Sequence, residues 1–324
     1  MGLSVGRVEV RSIDRSKKVL KFDSDAWHGK ITGSRLLAVL GRDSHMSDFR
    51  AACLIAKLYY DDTQTIQEKA GDAVEPIMRC YIRENRERIL RDRLNLGEGE
   101  IKVEDPVNKK DCGFDHFKRV KVFGGMVDGY VDFKGRRCAI LEIKSTGDRS
   151  KWYDENGNVR IPEGYELQTS LYAQLSNLDK IVFGVAFLEG SDYDHPECFV
   201  PNENNTLFTV IDKKDITKEM KMAEEWYERY IESGITPEWT DSDADLVDFF
   251  SSLRITDMPG EAMMMFKKYI KYMDTDEDLT DLEYSLSEIL MSKAVDGVSK
   301  VVYQQNGVTF TLSLDSMRMT VTRD

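Results

Sequence analysis

The chain has 324 residues, 41% of them hydrophobic, and a formal net charge of −13. That length accommodates one large α/β domain or a core with a smaller appendage, with enough apolar residues for a substantial interior. The acidity argues against a protein that coats nucleic acid non-specifically, though not against a DNA enzyme with a local basic track.

No apolar run approaches the ~20 residues of a membrane span. The N-terminal stretch "MGLSVGRVEVRSID" has charges where a signal peptide needs an apolar segment, so a soluble, cytoplasmic protein is expected. Cys53, Cys80, Cys112, Cys138 and Cys198 form no CxxC pair, which speaks against a disulfide framework, a zinc ribbon and an iron–sulfur cluster. The cysteines read as reduced structural thiols.

In chain order, residues 1–24 predict a polar strand pair, with Val8 and Val10 followed by Val19, Leu20 and Phe22 among charges. "TGSRLLAVLG" begins a helix that Thr32 or Ser34 can cap. "SDFRAACLIAKLYY" reads as a second helix. "TIQEKAGDAVEPIMRCYIRENRERILRDRL" reads as a third, longer one, with Pro76 at a first turn or a kink. Residues 97–118 read as loop and edge strand, and strand signals dominate 119–145. "GYELQTSLYAQLSN" returns to helix, and "KIVFGVAFLEG" fits a buried strand.

Residues 214–233 form an amphipathic helix ended by Gly234 and Pro237. Acidic helices follow, then a hairpin turning at Asn306-Gly307. A soft boundary near 240 divides a core, residues 1–240, from a helical and hairpin extension, residues 241–324.

The stretch "FGGMVDGYVDFKGRRCAILEIKST" carries charge in what otherwise reads as buried strand. Alternate strand residues share a face, so Glu142 and Lys144 project together while Leu141 and Ile143 face apolar packing. Burying either charge alone costs several kcal/mol. A turn at Lys134-Gly135 makes a hairpin that lets Asp128 lie across from Glu142 and Lys144. Converging carboxylates suit Mg²⁺ or Mn²⁺, and a neighbouring lysine can orient a water and stabilise developing charge. A surface hairpin with an incidental Glu–Lys pair is the bland alternative.

Gln168 and Tyr172 share a helix face one turn apart. Glu75, Arg79, Arg83 and Arg86 form a stripe if their helix is continuous. It reads either as a carboxylate heading a phosphate-binding row or as a solvated face of Arg–Glu pairs.

"GGMVDGYV", "LEIKST" and "ELQTSLY" together resemble the PD-(D/E)xK nuclease superfamily, in particular its RecB-like branch with a QxxxY helix. "DSDAWHGKITGSRLLAVLG" followed by "GDAVEP" resembles the YqaJ-like viral recombinase family, which includes phage lambda exonuclease. The motif order matches over about residues 25–190.

The resemblance implies a restriction-endonuclease-like core of class α/β (α+β), a mixed central sheet flanked by helices. It implies Asp128, Glu142 and the Ile143 carbonyl as metal ligands, Glu75 completing the acidic site, and Lys144 as the catalytic lysine. Gln168 and Tyr172 would position substrate, Ser34 would lie near the terminal phosphate, and Trp27 fits an aromatic position of the family. The family's phosphate-binding arginine has no counterpart; Lys30 or Arg35 takes its place, and Arg79 joins the substrate-binding set. Asp132 is a minor competitor to Asp128.

The implied activity is Mg²⁺- or Mn²⁺-dependent exonucleolytic hydrolysis at duplex DNA ends in phage or prophage recombination. A single-strand annealing protein would be its partner and a ring-shaped homo-oligomer its assembly. A structure-specific or restriction-type endonuclease on the same core is the enzymatic alternative. A catalytically silent DNA- or protein-binding module is the other.

The acidic stretches "DSDADLVDFFSS" and "DTDEDLTDLEYS" lack the Gly and Glu of a calcium loop and read as solvated helix starts. "GEAMMMFKKYIKYM" reads as helix core. His28, His45, His116 and His195 show no metal or HNH spacing; His28 is a DNA-facing candidate within "AWHGK" and the others read as surface. No Walker A or GxGxxG stretch is present, so no nucleotide cofactor is expected.

Overall fold

The computed structural model describes residues 3–61, 63–255, 258–275 and 277–323. In chain order the elements begin β1 (Leu3–Val5), β2 (Val10–Asp14), β3 (Val19–Phe22), β4 (Ile31–Thr32), α1 (Gly33–Val39), α2 (Asp48–Ile55) and β5 (Tyr59–Asp61). They continue with α3 (Ile66–Glu84), α4 (Arg86–Leu90), β6 (Ile101–Glu104), β7 (Phe123–Gly124), β8 (Gly129–Phe133) and β9 (Arg136–Thr146). Next come α5 (Glu163–Ser176), β10 (Lys180–Phe187), α6 (Gly190–Asp194), β11 (Thr206–Asp212) and α7 (Thr217–Tyr227). The last are α8 (Ala244–Ser251), β12 (Ser252–Ile255), α9 (Gly260–Tyr272), α10 (Thr280–Met291), β13 (Lys300–Gln305), β14 (Val308–Ser313) and β15 (Arg318–Arg323).

Two compact units emerge. One comprises Lys30–His45 and Asp62–Tyr227; the other comprises Met1–Gly29, Met46–Asp61 and Glu228–Asp324. Position 240, the boundary expected from the sequence, falls inside the second.

The first unit is built on a mixed sheet in the order β11-β10-β9-β8-β6, in which only the β10–β9 pair is parallel. On one face Leu141 and Ile143 of β9 pack with Val74, Met78 and Ile82 of α3. On the other, α5 brings Gln168 to Glu142. The expected mixed sheet with helices on both faces is therefore present. A separate short parallel pair joins β4 to β7: Ile31 pairs with Phe123 and Thr32 with Gly124.

Helix α3 starts on a capping box, with Thr65 Oγ1 accepting the Glu68 N–H at 3.1 Å and Glu68 Oε2 accepting the Thr65 N–H at 2.7 Å. Its buried residues Ala70, Val74, Met78 and Ile82 recur every four positions. The single long helix expected here is two. Asn85 leaves the helical region and its side-chain amide takes the Tyr81 carbonyl at 2.9 Å, so α4 starts anew. Pro76 is in the interior of α3, not at its first turn, and removes the N–H that the Asp72 carbonyl would accept.

In the second unit β2 and β3 form the expected strand pair, which is antiparallel. The terminal hairpin β13–β14 turns at Asn306 (φ 52°) and Gly307 (φ 72°), and is widened to the order β12-β13-β14-β15. Helices α9 and α10 cover one side through Phe266, Leu286 and Leu290.

Two expectations need correction here. Asp243 is not solvated: it is fully buried and held by Ser47 Oγ (2.6 Å), the Thr240 N–H (2.8 Å) and Arg50 Nε (3.3 Å). Met264 in the methionine run is exposed, while Met265 packs against the core. Asp276 of the other acidic stretch lies outside the described residues.

Candidate active site

Both faces of β9 are covered, so Ala139 through Ile143 are buried in sequence, and Glu142 is among them at 1% exposure. Its Oε1 accepts from Lys144 Nζ at 2.6 Å and from Gln168 Nε2 at 2.7 Å. Its Oε2 is buried without a hydrogen-bond partner. A carboxylate so enclosed resists ionisation. Burial pushes the Glu142 carboxyl up to about 8, and repulsion from Asp128 and Glu75 adds to this against the attraction of Lys144. For Lys144 burial favours the neutral amine, but Glu142 and Asp128 outweigh it and hold the ammonium above its ordinary range. The lysine also lies 5.0 Å from the Tyr165 ring centroid.

Asp128 immediately precedes β8. The register pairs Gly129 with Leu141, which carries Asp128 to the level of Glu142. Its Oδ2 accepts the Ile143 N–H at 2.7 Å. Glu75 on α3 is held by Arg79 Nη2 at 2.5 Å, with Lys109 Nζ at 3.9 Å. Burial, then repulsion from Asp128, raises the Glu75 carboxyl despite these cations. Glu75, Asp128 and Glu142 thus share one electrostatic neighbourhood. Each is already engaged by a cation or an N–H, and among the described residues no three acidic, imidazole or thiol side chains are drawn close enough to form a metal-holding group.

A cleft of about 280 Å³ opens here, lined by Ser34, Arg35, Glu75, Lys109, Asp128 and Gln168 among others. Tyr172 forms its wall. It is buried, accepts the Gly33 N–H at 3.2 Å and stacks on Phe117 at 5.8 Å. A Cβ at Gly125 (φ 135°) would meet the Tyr172 hydroxyl at 2.5 Å, so only glycine admits this approach. Ser34 is exposed at the start of α1, 3.0 Å from the Thr32 hydroxyl.

Other expected residues are employed elsewhere. Lys30 donates to Asp115 Oδ2 (2.7 Å) and the Phe117 carbonyl (2.9 Å) and does not line the cleft, unlike Arg35. The arginine stripe is not an open row: Arg79 holds Glu75, Arg83 pairs with Asp105 at 2.6 Å, and Arg86 lies past the end of α3. Asp132 faces Arg137 across the β8–β9 bulge, away from the cleft lining. Trp27, in the second unit, is 73% exposed with Lys57 Nζ 5.9 Å from its ring. His28 there is half-buried against Phe22 and the Ala56 carbonyl.

Sequence reasoning missed residues 105–118. Asp115 Oδ1 accepts the N–H groups of Phe117 (2.9 Å) and Gly125 (3.1 Å). His116 Nδ1 accepts the Val127 N–H at 3.2 Å, and Nε2 lies 3.2 Å from the Val107 carbonyl. Because one partner only donates and the other only accepts, both bonds require the neutral imidazole with its proton on Nε2. These contacts fasten the segment leading into Asp128. No spacing in a loop of mixed charges signals them.

No protein-family profile matches the chain. It is 32% identical over 253 residues to the uncharacterized protein MG373 of Mycoplasma genitalium, covering 66% of this chain and 85% of that one. It is 29% identical over 252 residues to the uncharacterized MG373 homolog of Mycoplasma pneumoniae, with the same coverage. Among solved structures, an alkaline exonuclease from Laribacter hongkongensis is similar with a TM-score of 0.42 and 15% identity, over 62% of this chain and 87% of that one. A phage related exonuclease from Haemophilus somnus 129PT gives 0.41 and 15%, over 64% and 96%. Overlaps of this depth assign no chemistry.

Proposed function

The chain belongs to the family of the uncharacterized protein MG373, and we propose that it is a metal-dependent DNA exonuclease hydrolysing phosphodiester bonds at duplex ends. The observation that carries this reading is Glu142: a buried carboxylate with one oxygen unpartnered, salt-bridged to Lys144 and level with Asp128. A buried carboxylate oxygen without a donor is costly in a merely structural role. It fits a hard cation, which prefers oxygen donors.

Asp128, Glu142 and the Ile143 carbonyl would hold Mg²⁺ or Mn²⁺, with Glu75 completing the acidic set. Such an ion supplies charge neutralisation at the phosphoryl group being transferred. Lys144 would orient the attacking water and stabilise developing charge, while Gln168 would fix the Glu142 rotamer through its hydrogen bond. Arg35, Ser34 and Lys109 line the cleft where phosphate oxygens would sit. Lys30 and Arg79 act one step back, through Asp115 and Glu75.

The motif order on residues 25–190 favours the phage-recombination type, working in the host cytoplasm as a ring-shaped homo-oligomer with a single-strand annealing partner. Digestion of end-labelled linear duplex beside covalently closed circular DNA, in Mg²⁺ and in EDTA, tests the reading. Mg²⁺-dependent loss of the linear DNA alone is expected. Cutting of the circle would favour the endonuclease alternative, and no cleavage in Mg²⁺ or Mn²⁺ would leave a binding module.

A further inference from the structure

The loop that fastens Asp128 also presents an aromatic side chain to solvent. Phe114 is 60% exposed, lines the rim of the cleft and has a left-handed backbone (φ 60°), a conformation disfavoured for a bulky residue. The turn beneath it is well bonded: the Phe114 N–H reaches the Lys109 carbonyl at 2.8 Å, and the Cys112 N–H the Asn108 carbonyl at 3.0 Å. An apolar ring held outward by an ordered turn does not serve the core. It meets the requirement for a partner with a flat apolar face.

Next to the cleft, and sharing Val107 and His116 with it, lies a groove of about 590 Å³. Lys118 and Arg119 line it, both exposed and with side chains that have no ion-pair or hydrogen-bond partner among the described residues. Arg137 lines it too, its guanidinium 3.6 Å from the Tyr130 ring centroid. Of the acids in the groove, Asp105 is engaged by Arg83 at 2.6 Å and Asp115 by Lys30 at 2.7 Å, leaving Asp111. In a chain of net charge −13 this groove is a local surplus of available cations.

We propose that the loop of residues 105–120 is a guide for a single nucleic-acid strand, with Phe114 stacking on a nucleobase at the cleft rim and Lys118 and Arg119 holding phosphates in the adjoining groove. The inference deepens the nuclease reading and rests on it for the identity of the ligand. A single strand is specified because a base within a duplex has both faces occupied, whereas an exposed ring beside a cationic track matches an unstacked one.

Fluorescence anisotropy of a labelled oligothymidylate and of a blunt hairpin duplex, in EDTA, separates binding from chemistry. Phe114→Ala is expected to weaken single-strand binding roughly 5- to 150-fold, the value of one base–aromatic stack. Phe114→Trp should restore it and Phe114→Leu should not. Lys118→Ala with Arg119→Ala should flatten the dependence of log K on log salt by about 1.4, or ~0.7 per lost phosphate contact. The Phe114 side chain is mostly exposed, so its loss should leave the melting temperature in place.

Equal affinities of wild type and Phe114→Ala, an equal loss on the duplex, or no single-strand binding by wild type would each overturn the proposal. Cleavage in Mg²⁺ is scored on the same proteins. Active wild type with an indifferent Phe114→Ala sinks the guide alone. Inactive wild type whose single-strand binding needs Phe114 sinks the nuclease and leaves a strand-binding loop.

Discussion

The two main sheets bury their strands by different rules. In β14, Val308, Phe310 and Leu312 are buried and alternate with half-exposed Thr309, Thr311 and Ser313. Only the side facing Phe266, Leu286 and Leu290 is dry, so the residue types follow a period of two. In β9 both sides are covered, the alternation merges into one buried run, and Glu142 is inside it. Strand β14 therefore buries no charge, whereas β9 holds a carboxylate whose desolvation as an ion costs several kcal/mol. The difference marks β9 as the strand in which the fold accepts an unfavourable term, which is where the proposed function puts the chemistry.

If that contrast is right, substitutions in the two sheets should fail in different currencies. The largest effect is expected from Lys144→Ala, which removes the cation at 2.6 Å from Glu142. Cleavage of end-labelled duplex should fall ~10²–10⁴-fold, while the protein stays folded because burial already favours the protonated Glu142 carboxyl, which needs no counter-ion. A loss below tenfold would remove Lys144 from the chemistry. Phe310→Ala is the counterpart. Phe310 is fully buried, edge-on to Phe266 at 4.8 Å and to Tyr269 at 5.5 Å. Its truncation should cost about 3–5 kcal/mol in urea unfolding of its unit. Unchanged stability there would contradict the purely apolar account of that sheet.

The sequence made the β9 site legible because strand geometry is strict. Once Glu142 and Lys144 lie two apart, one face holds both, and the turn at Lys134-Gly135 fixes what stands opposite. Helix spacing was less reliable. The stripe Glu75–Arg79–Arg83–Arg86 obeys the period, but Asn85 ends α3 by taking the Tyr81 carbonyl, and Asp105 from a remote loop claims Arg83. The engagement of Lys30 was equally invisible, since its partner Asp115 is 85 positions away. Tyr172, expected as a positioning residue near the substrate, lines the cleft as a buried wall. Its burial between Gly33 and Gly125 depends on two glycines whose closeness to the ring no local pattern displays.

Those glycines provide an intermediate test of whether the charged sheet's surroundings are as constrained as its centre. Gly125 has a left-handed backbone, with its N–H on Asp115 and its carbonyl accepting from the His116 N–H at 2.8 Å. Gly125→Ala should destabilise by about 1–3 kcal/mol from strain and from the collision with Tyr172. In melting temperature that is roughly 2–4 °C per kcal/mol for a chain of this size. Cleavage should drop further than stability alone explains, because the segment displaced ends in Asp128. Gly307→Ala, at φ 72° with open space around it, is the control and should cost only the backbone term of about 1 kcal/mol.

The smallest and most specific effect is a pH dependence carried by Glu142. Its folded carboxyl is raised to about 8, first by burial, so the folded protein binds that proton more tightly than the unfolded chain. The associated stability is fully present below the ordinary carboxylate range and is lost as pH rises through about 8. A divalent cation at the same carboxylate must displace the proton, so the stabilisation by Mg²⁺ should grow over that window, by a few degrees. Thermal unfolding across pH 5–9, with and without Mg²⁺, reads both slopes. Glu142→Gln keeps the shape and an acceptor for Lys144 and Gln168 but has no proton to exchange, so both slopes should flatten together. A Mg²⁺ shift that survives this substitution would place the ion away from Glu142, and the buried charge in β9 would need another explanation.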